Sequence, residues 1–239
     1  MEPKAEHTVR SYAEELRRLR EMVARMGGLA ERQVADSTIA LVRRDAEMAT
    51  EVMGRDAAID ALEREIENLC IRLLALRQPV GQDLRLVVAV LKISHDIERI
   101  GDYARNAAKR AIVVSQQPPL GSLNGFQRMA VLVQENLKGA MDALVNNDAA
   151  RADEVWAADE PIDEVYNGIF REMLTFMMED PRNITAATHL LFVAKNLERI
   201  GDHATNIAET VHYAVSGDKL PEERPKADSS AFAVVRPPA

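Results

Sequence analysis

The chain has 239 residues, of which 47% are hydrophobic but only 4% aromatic, a balance that suits aliphatic helix-on-helix packing rather than sheets. A formal charge of −8 argues against a general nucleic-acid binder or an electrostatic membrane anchor, and the single cysteine, Cys70, excludes an intrachain disulfide. No basic start with an apolar run opens the sequence, and its most apolar stretch, 84–93, is broken by Arg85 and Lys92; a cytoplasmic chain is expected.

From about Thr8 to Arg44, Leu16, Leu19, Met22, Val23 and Met26 recur at three- and four-residue steps, which predicts a helix with a possible kink at Gly27-Gly28. Asp45 is a plausible N-cap for a second helix, striped by Ile59, Leu62, Ile66, Leu69 and Leu73 and running to about Arg77. Gln78-Pro79-Val80-Gly81 stops it, and a third helix is expected from about Asp83 to Ser115. The Pro/Gly-rich segment 116–123 is the clearest internal break.

The second half repeats the first. Asn146-Asn147-Asp148 echoes Arg43-Arg44-Asp45, and Asp159-x-x-Ile162-Asp163 echoes Asp56-x-x-Ile59-Asp60. Pro181 takes the place of Pro79, and Glu198-Arg199-Ile200-Gly201-Asp202 repeats Glu98-Arg99-Ile100-Gly101-Asp102 letter for letter. The expected fold is all-α, a tandem duplication of two antiparallel three-helix bundles. Residues 1–115 form the first unit, 116–123 a linker, 124–216 the second unit and 217–239 a flexible Pro-rich tail.

Both pentapeptides place two carboxylates on one helix face, where like charges cost a few tenths of a kcal/mol. In an antiparallel hairpin, residues equally far from the turn lie level. Asp60 and Glu98 are each 19 residues from Pro79, and Asp56 and Asp102 each 23. The distances from Pro181 agree to within one residue for Asp163 with Glu198 and for Asp159 with Asp202. Two rings of four carboxylates are therefore expected: Asp56, Asp60, Glu98 and Asp102, then Asp159, Asp163, Glu198 and Asp202. Such rings repel themselves unless a cation intervenes, and all-oxygen donors suit Mg²⁺, Mn²⁺, Ca²⁺ or iron. A helical wheel turns the acids away from the stripe of Ile93, Ile97, Ile100, Ala104 and Ala107, which predicts a surface or groove site. The competing reading is a solvated acidic face paired with Arg99 and Arg199.

Gly101 and Gly201 each cost about 1 kcal/mol against alanine in a helix, which points to close approach of a neighbouring helix. Glu209-Thr210-Val211-His212 has the ExxH spacing of di-iron bundles, but Lys109 and Ile112 occupy the matching places in the first half. His95 and His203 have no counterpart histidine and read as peripheral. No phosphate loop, nucleophile elbow, HExxH or CxxC is present.

Arg77-Gln78-Pro79 with Asp83-Leu84-Arg85, both pentapeptides, Met177-Met178-Glu179-Asp180 and His203-Ala204-Thr205-Asn206-Ile207 together resemble the PhoU family over residues 8–216. The resemblance implies a cytoplasmic, commonly homodimeric accessory protein without catalytic activity. It would act with the phosphate ABC transporter ATPase and the phosphate-regulon histidine kinase, as a negative regulator of that regulon that also modulates phosphate uptake. It also implies metal ions (iron, manganese, magnesium or zinc) at the ExxxD and DxxxD motifs, no nucleic acid, and membrane contact only through partners. The first half departs where Asp96, Tyr103 and Arg105 stand opposite Asn196, His203 and Thr205, so the two sites need not bind equally. A carboxylate-bridged metalloenzyme, a phosphatase or oxidase, is the alternative function.

Overall fold

Helices alone make up the regular structure of the computed structural model, which describes the backbone of residues 3–221 and the side chains from residue 11. The helices are α1 (Pro3–Arg43), α2 (Ala46–Arg77), α3 (Gly81–Ser115), α4 (Asn124–Asn146), α5 (Ala149–Ala157), α6 (Glu160–Glu179) and α7 (Ile184–Ser216), with a 3-10 turn at Pro181–Asn183. The tail beyond Pro221, with Pro225, Pro237 and Pro238, lies outside the described residues.

The two halves use the same joint. After α1, Arg44 takes a left-handed φ of 56° and Asp45 caps α2 by accepting from the Met48 amide at 2.9 Å. After α4, Asn147 has φ 52° and Asp148 accepts from the Arg151 amide at 3.0 Å. Each aspartate satisfies an amide that the first helical turn leaves without an intrahelical partner. Gln78 at φ 49° and Gly81 at φ 56° reverse the chain between α2 and α3.

α1 runs unbroken through Gly27-Gly28, and a Cβ on Gly27 would sit 2.5 Å from Met141 Cε of α4, so that glycine serves helix packing. The fifth helix is divided. Pro161 falls in the first turn of α6, where its missing N–H costs nothing; inside a continuous helix its ring would meet the carbonyl of Ala157. The chain therefore ends α5 at Ala157 and restarts beyond Asp159, whereas α2 passes through the matching Ala58 without interruption.

α3 and α7 lie side by side at the centre, with α1 and α2 against α3 and with α4, α5 and α6 against α7. The stripe Ile93, Ile97, Ile100 and Ala104 is fully buried, as are Leu197, Ile200, Ala204 and Ile207 on α7. Each large aliphatic side chain so buried contributes roughly 1.5–3 kcal/mol of transfer free energy. α1 also touches α4, so one hydrophobic core runs through both units.

Candidate metal centres

In the first unit, Glu98 and Asp102 stand on α3 and Asp56 and Asp60 on α2. One guanidinium nitrogen of Arg105, Nη1, lies 3.5 Å from Asp56 Oδ2 and 3.8 Å from Asp102 Oδ1, which places these two carboxylates level across the hairpin. Gln33 of α1 ties the arrangement together: its Nε2 donates to Asp56 Oδ1 at 3.0 Å and to the Gly101 carbonyl at 3.1 Å. Burial pushes the Asp56 carboxyl up, the Gln33 hydrogen bond opposes this, and Asp60 and Asp102 push it further up. Glu98 is raised by burial and then by Asp102 and Glu63, against Arg99 and His95. Its Oε2 is buried without a hydrogen bond; Arg99 Nε is 3.7 Å away. A buried carboxylate oxygen of this kind fits an oxygen-seeking cation better than it fits solvent.

The second ring is more enclosed. Asp159, Asp163 and Glu198 are buried, and Asp202 is half-buried. Asp159 stands at the N-cap position of α6 and Asp163 in its first turn, so the positive end of that helix faces carboxylates. Lys195 Nζ donates to Glu198 Oε1 at 2.8 Å. Arg199, whose positive charge also acts on Glu198 and Asp202, donates to the Tyr103 hydroxyl at 3.0 Å.

Of the surface or groove site expected from the wheel, the structure shows the groove, with more burial than the wheel implies. Asp56, Asp159, Asp163 and Glu198 are buried, and the other four acids are half-buried. A wheel drawn on α3 or α7 sees only that helix's own stripe. The flank it leaves open is closed from the side: by Gln33 of α1 in the first unit, and in the second by α4, whose equivalent Asn136 donates to the Ala158 carbonyl at 3.2 Å. The acids line grooves between helices.

Both pentapeptide glycines sit where two helices touch. A Cβ on Gly101 would be 3.0 Å from Ile59 Cδ1 and 3.3 Å from Asp56 Oδ1; one on Gly201 would be 3.0 Å from Ile162 Cδ1 and 3.8 Å from Asp159 Oδ1. Helix packing accounts for both.

The two odd histidines differ: His203 is half-buried, and His95 is exposed. His203 Nδ1 is 2.8 Å from Asp96 Oδ1, and its ring lies 5.6 Å from that of Tyr103, so the residues in which the two halves differ meet at the α3–α7 seam. His95 Nδ1 is 3.3 Å from Glu63 Oε1, and ligand atoms of Glu63, His95 and Glu98 lie within 4.8 Å of one another. Hairpin counting carries this signal too, since Glu63 is 16 residues before Pro79 and His95 16 after it. In the ExxH motif, His212 Nδ1 turns to Asp153 Oδ1 of α5 at 2.5 Å, while Glu209 is exposed. Cys70 is buried, and desolvation pushes its thiol up to about 12, which leaves no thiolate near neutral pH.

Comparison with known proteins agrees over nearly the whole chain. The chain is 54% identical over 224 residues to the phosphate-specific transport system accessory protein PhoU homolog of Caulobacter vibrioides, covering 93% of this chain and 97% of that one. It is 45% identical over 226 residues to the Rhizobium meliloti homolog, covering 94% and 95%. Among solved structures, PhoU from Pseudomonas aeruginosa superposes with a TM-score of 0.83 at 40% identity, covering 87% of this chain and all of that one. The phosphate transport system regulatory protein PhoU from Streptococcus pneumoniae gives 0.81 at 29%, covering 88% and 99%. Among the described residues no helix is long and apolar enough to cross a membrane. The PhoU domain model matches twice, over residues 23–111 and 126–211, one match to each half, and the chain belongs to the PhoU family, a family of accessory proteins rather than enzymes.

Proposed function

We propose that the chain is a metal-bearing regulatory adaptor in the cytoplasm. It links the phosphate ABC transporter, through its ATPase, to the phosphate-sensing histidine kinase. In that role it restrains the phosphate regulon when phosphate is plentiful and modulates uptake. What supports the reading is the set of acidic motifs repeated at corresponding places on two helix hairpins that share one core, with Asp60 and Asp102 acting on Asp56, and Asp102 on Glu98, in the first. The names of the relatives, an accessory and a regulatory protein of phosphate transport, support the same reading.

Asp56, Asp60, Glu98 and Asp102 would hold metal in the first unit, and Asp159, Asp163, Glu198 and Asp202 in the second. A bound cation supplies the positive charge that lets four carboxylates stay ionised together. The chain's own residues do the rest: Gln33 orients Asp56, and α1 and α4 restrict water. Residues 1–115 and 124–216 act as the two repeats, 116–123 as the linker and 217–239 as a tail, and the working form is a homodimer.

Deleting the gene in its host and following a phosphate-regulon reporter tests the role. Constitutive expression in high phosphate is expected, and unchanged repression would refute it. Elemental analysis of protein purified without added metal is expected to find iron, manganese, magnesium or zinc, and less of it in Glu98→Ala/Asp102→Ala and Glu198→Ala/Asp202→Ala. A monomer by light scattering would remove the homodimer.

A further inference from the structure

The duplication supplies an internal comparison at one place outside the two rings. In the first unit, Glu63 of α2 meets His95 and Glu98 of α3, the last two spaced i, i+3. The matching residues of the second unit are Tyr166 on α6 and Lys195 and Glu198 on α7, with the same i, i+3 spacing. There the Lys195 ammonium is the resident cation: it donates to Glu198 at 2.8 Å and lies 5.0 Å from the centre of the Tyr166 ring. Where the second unit carries its own positive charge, the first unit carries two carboxylates and an imidazole.

We infer that Glu63, His95 and Glu98 form a transition-metal site of the zinc type in the first unit, filled by a divalent ion where the second unit uses Lys195. Charge balance selects the valence. Glu198 with Lys195 sums to zero, and Tyr166 removes the second acid; Glu63 and Glu98 with a neutral imidazole sum to −2, which one divalent cation cancels. Donor chemistry selects the metal, because an imidazole added to two carboxylates favours zinc-like ions over magnesium or calcium. Glu98 Oε2 is buried without a hydrogen bond, with Arg99 Nε 3.7 Å away. Ligands at zinc bond lengths of 2.0–2.1 Å stand about 3.3 Å apart, so side-chain rotation alone closes a set already within 4.8 Å. The Glu63 and Glu98 side chains are 28% and 20% exposed and His95 is 59% exposed, which leaves the ion an entry path from solvent. An ordinary His95–Glu63 surface pair is the competing account, and it requires neither Glu98 nor a metal.

The site shares Glu98 with the first ring but does not rest on the adaptor role, and its test changes one ring acid, Asp60, as the control that separates the two. Metal-free protein is titrated with Zn²⁺ by calorimetry in four forms: unchanged, His95→Gln, His95→Lys and Asp60→Asn. Circular dichroism checks that each is folded, and His95 is exposed enough to be replaced without disturbing the core. The unchanged chain is expected to take up one more equivalent than either His95 variant, and Asp60→Asn to keep that equivalent. Zinc-edge absorption is expected to show imidazole scattering that weakens in His95→Gln and persists in Asp60→Asn. His95→Lys, which copies Lys195, is expected to show a smaller Zn²⁺-dependent rise in Tm than the unchanged chain. Equal stoichiometry and undiminished imidazole scattering in the His95 variants would overturn the assignment. Loss of the same equivalent in Asp60→Asn would also overturn it, by assigning the metal to the carboxylate ring.

Discussion

Replacing the pentapeptide glycines by alanine sets helix propensity against packing. Alanine gains about 1 kcal/mol over glycine inside a helix. At Gly101 the new methyl would lie 3.0 Å from Ile59 Cδ1 and 3.3 Å from Asp56 Oδ1; Ile59 is fully buried, and Gln33 fixes Asp56. Neither neighbour has room to retreat, so overpacking of about 1–3 kcal/mol outweighs the gain. Gly101→Ala is expected to lose up to about 2 kcal/mol. At Gly201 one neighbour, Ile162 Cδ1, is as close, while Asp159 Oδ1 is 3.8 Å away, and Gly201→Ala is expected to lose less, about 0–1 kcal/mol. Gly28 has open space around its Cβ position and supplies the control, with Gly28→Ala expected to gain up to about 1 kcal/mol. Urea unfolding reads all three as shifts in midpoint at unchanged slope. Because the Gly101 methyl presses on Asp56, metal content is expected to fall in Gly101→Ala more than in Gly201→Ala. A Gly101→Ala midpoint that rises alongside Gly28→Ala would refute the packing argument.

Asp45→Ala and Asp148→Ala each remove one cap hydrogen bond and are each expected to cost about 1 kcal/mol in the same urea assay, with additive effects in the double variant. Cys70 is expected to resist thiol reagents at neutral pH until the chain unfolds, and reaction of native protein at the unfolded rate would contradict its burial. The Tyr12 hydroxyl donates to Asp83 Oδ2 at 2.8 Å, and burial and then that partner push it up to about 12 from 10.0. A group raised on folding contributes its stability fully below the unfolded value, so melting temperatures are expected to fall from about pH 10 to about pH 12 and to fall less in Tyr12→Phe.

What a single hairpin determines was legible in the sequence. Helices rise a constant distance per residue, so counting from Pro79 places Asp56 level with Asp102, and the same counting, carried to Glu63 and His95, finds the mixed cluster. What depends on a third helix was not legible. The burial of the acids comes from α1 and α4, whose contributions at Gln33 and Asn136 carry no mark in a wheel drawn on α3 or α7. The partners of His203, Asp96 and Tyr103, lie on the other unit, and only the packing of α3 on α7 brings them together. The division of the fifth helix is different in kind: Pro161 announces it, but the strength of the repeat with α2 hides it.

The two units solve one electrostatic problem in two ways. Each carries two acids on each of two neighbouring helices, where repulsion and desolvation both favour a cation. The second unit brings cationic charge of its own: the Lys195 ammonium on Glu198, the Arg199 charge acting on Glu198 and Asp202, and the N-terminus of α6 toward Asp159 and Asp163. The first unit has Arg105, 3.5 Å from Asp56, and Arg99 at 3.7 Å from Glu98 and 4.0 Å from Asp102, and it adds Glu63 to the negative side. Its uncompensated charge is the larger, so it has more to gain from a bound metal. Asp102 adjoins Tyr103, whose hydroxyl accepts from Arg199 and whose ring lies tilted against that of His203 across the seam. Arg199, which acts on Glu198 and Asp202, is thus held by a residue of the first unit.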